Sequence, residues 1–143
     1  VASISSPAEV EVSIVSYVES EKTHQQVKAD LYVKGEHIYL RYPEKDLGQT
    51  NTTVKIHKHQ LKIIRHGEVA SEQLFIPGKT TSGFYETPQG RLLLEMSTKD
   101  LQVDLNDGIG QVAWSYDLFF AGEHAGAYRL SFQINRKQQG GAM

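Results

Sequence analysis

Cysteine is absent from the sequence, and with it go disulfides, zinc–thiolate centres and thiol nucleophiles. That absence fits a reducing compartment. Long hydrophobic runs are missing too, since nothing approaches the roughly 20 apolar residues of a membrane-spanning helix. A formal charge of -2 removes the strongly basic balance that marks most nucleic-acid binders, so nucleic acid is a disfavoured partner. The stretch Val1-Ala2-Ser3-Ile4-Ser5-Ser6-Pro7 has neither the basic nor the apolar segment of a secretory signal, and the expected location is cytoplasmic, away from membranes. There is no glycine-rich phosphate loop after a strand, no G-x-S-x-G elbow and no H-E-x-x-H pair. The expectation is a protein that is not an enzyme and needs no cofactor.

What is present is an ordinary globular composition over 143 residues, 39% hydrophobic and 22% charged, enough for one domain with a core of its own. Residues 1–143 read as a single domain, with 1–8 and 136–143 expected to fray. Alternation of period two runs through almost all of it, and a helical period is nowhere sustained. In 112–120, Val112, Trp114, Tyr116, Leu118 and Phe120 share one face; Tyr128, Leu130, Phe132 and Ile134 repeat the pattern. Candidate strands fall at 9–18, 25–33, 36–42, 51–57, 60–65, 69–76, 80–86, 91–98, 101–106, 109–120 and 127–135, some of them due to merge. The tight connections favour an antiparallel up-and-down meander, and one of about 8–10 strands removes its edges by closing into a barrel. Pro43 to Gly48 is the longest irregular polar stretch and reads as a mobile loop.

Hairpin register is testable because a slip of one residue turns every apolar side chain to the wrong face. A turn at Lys34-Gly35 sets Leu31 opposite Ile38. The favoured pair Asp107-Gly108 sets Val103 opposite Val112 and Leu101 opposite Trp114. A three-residue loop Pro88-Gln89-Gly90 sets Phe84 opposite Leu94 and Glu86 opposite Leu92. A five-residue loop from Gly122 to Gly126 sets Phe120 opposite Tyr128 and Tyr116 opposite Phe132.

Several of these turns carry a likeness. Asp46-Leu47-Gly48 leading to Thr53-Val54-Lys55, then Arg65-His66-Gly67, and Ser97-Thr98-Lys99 through Asp104-Leu105 to Gly110 and Tyr116 resemble the YwiB-like family of small bacterial proteins. The likeness covers most of the chain. It implies a calycin-like, lipocalin-like β-barrel and brings no activity with it. The Gly-x-Trp element that marks lipocalins is missing, for the one tryptophan is Trp114.

Two sets of residues are candidates for function. The first lies on the faces predicted to point into the barrel: Phe84, Glu86, Trp114, Tyr116, Phe120, Tyr128 and Phe132, a lining suited to a small apolar molecule if the interior has room. Glu86 is expected at the mouth. The second set is Lys55, Lys58, Lys62 and Arg65, basic residues with no acid between Thr50 and Gly67, which suit an anion, a protein or RNA. Lys55 faces Lys62 in this hairpin, a like-charge pair that needs a counter-charge. Glu72, across a three-residue loop at His66-Gly67-Glu68, is the preferred source of it. His57, His59 and His66 do not form a metal site in this register, because His66 lies ~20 Å from the turn at about 3.3 Å per residue. Asp104 to Gly108 is a turn rather than a calcium loop, its glycine falling one position early and its bidentate glutamate missing. Two functions remain: a binding module for a small apolar ligand, and an interaction or regulatory scaffold working through the basic 53–66 hairpin.

Overall fold

The computed structural model describes residues 7–137. Ten antiparallel strands follow one another around a closed barrel: β1 (Ala8–Val18), β2 (Glu21–Lys34), β3 (His37–Pro43), β4 (Thr50–His57), β5 (Gln60–Gly67), β6 (Ala70–Phe75), β7 (Thr80–Thr87), β8 (Gly90–Asn106), β9 (Ile109–Phe120) and β10 (Glu123–Arg136). Each strand pairs with the next. The ring closes between β1 and β10, from Val10 opposite Arg136 to Val18 opposite Tyr128. This is the expected up-and-down meander, and closure satisfies the backbone groups an open edge would leave unpaired. The ends expected to fray are partly paired, since Ala8 and Arg136 both lie in strands and Lys137 reaches Glu9 at 2.8 Å. Residues 1–6 and 138–143 of the predicted tails lie outside the described residues. Among the described residues no helix is long and apolar enough to cross a membrane.

The period-two pattern becomes burial directly. In β4, Thr50, Thr52, Val54 and Ile56 are buried while the residues between them are not. The barrel's waist is filled by Phe75, Trp114, Phe132, Leu40, Leu61 and Met96, all almost wholly inaccessible to solvent. Phe75 lies 5.8 Å from Trp114 between ring centroids, and Trp114 meets Phe132 edge-on at 5.2 Å, the offset geometry that aromatic quadrupoles favour.

Several registers differ from expectation. Leu31 pairs with Leu40 and Val33 with Ile38, because the turn is Gly35-Glu36; this two-residue shift keeps the same faces inward. The last hairpin turns at Ala121-Gly122, with a bulge between His124 and Gly126, so Tyr128 faces Tyr116, Leu130 faces Trp114 and Phe132 faces Val112. Ala121 there takes φ 53°, a conformation alanine seldom adopts and a turn signal that the sequence does not give. The β7–β8 turn is Pro88-Gln89, which sets Phe84 opposite Leu93 and Glu86 opposite Arg91. That one-residue change reverses the faces. Asp107-Gly108 behaves as expected, both residues having positive φ (54° and 83°) as a type I′ turn requires. The candidate strands 91–98 and 101–106 are one strand, irregular between Thr98 and Asp100.

Candidate functional site

The turns after β1, β3, β5, β7 and β9 gather at one end of the barrel, here called upper. The turns after the even strands and both strand termini gather at the lower end. Above the filled waist the inward positions stop packing against one another, and a cavity of about 390 Å³ opens among them. Its apolar wall includes Val18, Ile63, Leu94, Trp114, Leu118 and Leu130, and its polar groups are Arg65, Gln73, Ser16 and the tyrosines 85, 116 and 128. The volume is within the range of small-molecule sites, at the small end. Exposed apolar side chains ring the mouth, Val18, Leu92 and Phe120 among them.

Arg65 is the charge of this chamber. The sequence groups it with the surface lysines, and the structure corrects that: Leu61, Ile63 and Arg65 alternate on one face of β5, and Arg65 pairs with Thr52, which is fully buried. Its Nη2 lies 3.5 Å from Glu44 Oε1, and its Nη1 donates to Ser71 Oγ at 3.4 Å. Nε has no partner among the described residues, and neither has Trp114 Nε1. Glu44 comes from the Pro43 to Gly48 stretch, which the sequence presents as a mobile loop. Instead it carries a 3-10 turn at Lys45–Leu47 and is tied inward. Glu44 N–H donates to Thr50 O at 2.8 Å, Thr52 Oγ1 donates to Glu44 Oε1 at 3.1 Å, and Tyr42 hydrogen-bonds the same carboxylate.

Burial holds the Tyr116 hydroxyl well above the usual tyrosine range, with the neighbouring Tyr128 adding to the shift and the hydrogen bond to Gln73 opposing it. The two tyrosine rings stack at 5.1 Å, 7° from parallel. A neutral phenol at this depth donates or accepts a hydrogen bond but supplies no base.

Of the predicted lining residues, Trp114, Tyr116 and Tyr128 meet in the chamber. Phe132 belongs to the waist below it and Phe120 to the rim. Phe84 and Glu86 are corrections, for the one-residue difference in the β7–β8 turn puts both on the outer surface. There the Arg91 guanidinium covers the Phe84 ring at 4.1 Å and pairs with Glu86 at 3.8 Å. Gln73, Tyr85 and Glu44 went unnoticed in the sequence. Period two would have flagged Gln73, two positions from the buried Phe75, whereas nothing local marks Glu44.

The basic hairpin keeps less free charge than its sequence suggests. Lys55 does face Lys62, and Lys62 does pair with Glu72, at 2.8 Å. The pairing is diagonal, because Glu72 stands opposite Ile64 and the loop is Gly67-Glu68-Val69. Lys55 lies 6.0 Å over the Tyr39 ring, and Lys58 is exposed at the turn. At this lower end His57 lies 5.0 Å from His37 and 6.1 Å from His59 between ring centroids, beside a second cavity of about 540 Å³. His66, paired with Asn51, is at the other end of the strand.

Ten strands in chain order, a filled waist and an amphipathic chamber at the upper end define a small closed up-and-down β-barrel of the kind in which side chains pack the middle and leave space towards the ends. The family model DUF1934, described as a domain of unknown function, matches residues 9–132, and the chain belongs to that family. It is 34% identical over 101 residues to the uncharacterized beta-barrel protein YwiB of Bacillus subtilis (strain 168), which covers 70% of this chain and 71% of that protein. It also matches the crystal structure of the ywiB protein from Bacillus subtilis with a TM-score of 0.79 at 25% identity, covering 94% of this chain and 96% of that one. The family is the one that the turn motifs resemble.

Proposed function

We propose that this protein is a non-enzymatic binding module that holds a small, mostly apolar molecule in the upper chamber. One observation carries the reading: inward positions that pack tightly at the waist leave about 390 Å³ at the upper end, under a rim of exposed apolar residues. Apolar walls with a few placed polar groups are what a small ligand needs for burial and orientation. The basic hairpin gives the scaffold alternative less support, because Arg65 is inside and Lys62 is neutralised by Glu72.

Trp114 lines the chamber and is the only tryptophan, so its emission reports on occupancy. A panel of apolar and aromatic metabolites is expected to contain members that change it saturably, and Leu118→Phe, which intrudes on the chamber without adding a second tryptophan, is expected to weaken them at least tenfold. A panel without response, checked by ligand-observed NMR, overturns the reading.

A further inference from the structure

The fully buried polar atoms of the chamber's side chains that lack a partner are of one kind. Arg65 Nε and Trp114 Nε1 are N–H groups without partners among the described residues, each closed to solvent at the atom itself although its side chain lines the cavity. Neither atom can accept a hydrogen bond. The two contacts that Arg65 does make, at 3.4 and 3.5 Å, are long for a guanidinium, whose charge-assisted bonds normally fall near about 2.7–2.9 Å. Its fork therefore has donors to offer an entering group.

The charge is already balanced. Glu44 is held against Arg65 by Thr52 and Tyr42, which bind its carboxylate independently of the arginine. A carboxylate ligand would bring a second anion to one cation in a largely apolar chamber, where burying an uncompensated charge is costly. An uncharged oxygen acceptor meets the donors without that cost.

On the reading that the chamber binds a small apolar molecule, we propose that it selects uncharged ligands bearing a carbonyl-type acceptor, an amide or an ester, with Arg65 as the donor and Glu44 as the internal counter-ion that rejects free acids. Arg65 is a binding residue here, and Glu44 sets the specificity without needing to touch the ligand.

Three probes of nearly one shape separate the terms at neutral pH: hydrocinnamamide, hydrocinnamate and propylbenzene, titrated against Trp114 fluorescence and confirmed by ligand-observed NMR. The wild-type protein is expected to bind the amide at least five-fold more tightly than propylbenzene and at least ten-fold more tightly than the acid. Glu44→Gln removes the counter-ion, and the acid is then expected to overtake the amide. Arg65→Met is expected to bring the amide and propylbenzene to equal affinity. Circular dichroism checks the fold of both variants, and Arg65→Met supplies the test if Glu44→Gln does not fold. Wild-type preference for the acid, propylbenzene binding as well as the amide, or an unchanged ranking in folded Glu44→Gln overturns this inference and leaves the binding-module reading standing. Binding of none of the three overturns both.

Discussion

The waist of the barrel and its upper end are built from consecutive inward positions of the same strands, yet they do different things with them. At the waist the positions carry Phe75, Leu61, Met96 and Phe132, which interdigitate and exclude solvent. One or two inward positions higher the same strands carry Gln73, Arg65, Leu94 and Tyr128, and a cavity lies between them. β5 makes the change within three residues, from the buried Ile63 to Arg65. The strand pairing that closes the barrel does not require this.

Mutations should divide along that boundary. The largest effect is expected at the waist: Phe75→Ala leaves a void among Trp114, Tyr116 and Leu61 and should cost about 3–5 kcal/mol of unfolding free energy, read from the urea midpoint. Leu118→Ala in the chamber wall, half-buried beside existing space, should cost only about 1 kcal/mol. Equal costs would mean that the upper end is packed as tightly as the waist. Next comes Arg65→Met, which strips Glu44 of its cation and should cost about 1–3 kcal/mol, less than a fully buried pair because both side chains keep some exposure (20% and 11%). The double variant Arg65→Met/Glu44→Gln should recover most of that loss. Losses that simply add would show that the pair does not act as a unit.

Much of this division was legible in the sequence. Period two set the strand faces, and Asp107-Gly108 fixed one register outright, because the loop is two residues long and only one register puts apolar residues on a common face. The reading failed where turn length was inferred from glycine position. At Pro88-Gln89-Gly90 the glycine sits in the ladder opposite Thr87 rather than in the loop, and one residue of miscounting carried Phe84 and Glu86 to the wrong side. Arg65 is a different kind of failure. Its position two residues beyond Ile63 placed it inside, but its charge suggested the surface. Glu44 could not have been found, since its role depends on a connection folding across strand ends from Pro43 to Thr50, a long-range fact with no local signal.

Alkaline pH should act on the buried phenols, a smaller effect spread over two sites. Burial raises the values of Tyr42 and Tyr116 above the ordinary 10.0, with Glu44 reinforcing the shift at Tyr42 and Tyr128 at Tyr116. The unfolded chain therefore releases these protons first. Stability is fully present below about pH 10 and falls as pH rises beyond it. The thermal midpoint should drop between neutrality and about pH 11, and Tyr42→Phe should flatten that drop by removing one of the two groups. A drop of unchanged steepness in Tyr42→Phe and in Tyr116→Phe would assign the alkaline loss to other groups.

The smallest effect lies just outside the chamber, on the same strand as Arg65. Lys62 and Glu72 sit 2.8 Å apart on the outer surface with 35% and 42% of their side chains exposed, so a double-mutant cycle should give roughly 0.2–1 kcal/mol. The Lys62 ammonium, chiefly through its hydrogen bond, holds Glu72 below the usual carboxylate range. A depressed carboxylate contributes above its unfolded value and loses that contribution as pH falls through the folded one. Salt makes the contrast with Arg65–Glu44 measurable, because the Debye length shrinks to about 3 Å at about 1 M and screens exposed pairs far more than enclosed ones. The Lys62–Glu72 coupling should fall towards zero at high salt while the Arg65–Glu44 coupling persists. If both collapse together, Arg65 is as open to water as the surface lysines, and the polar upper end is a solvated rim rather than a chamber.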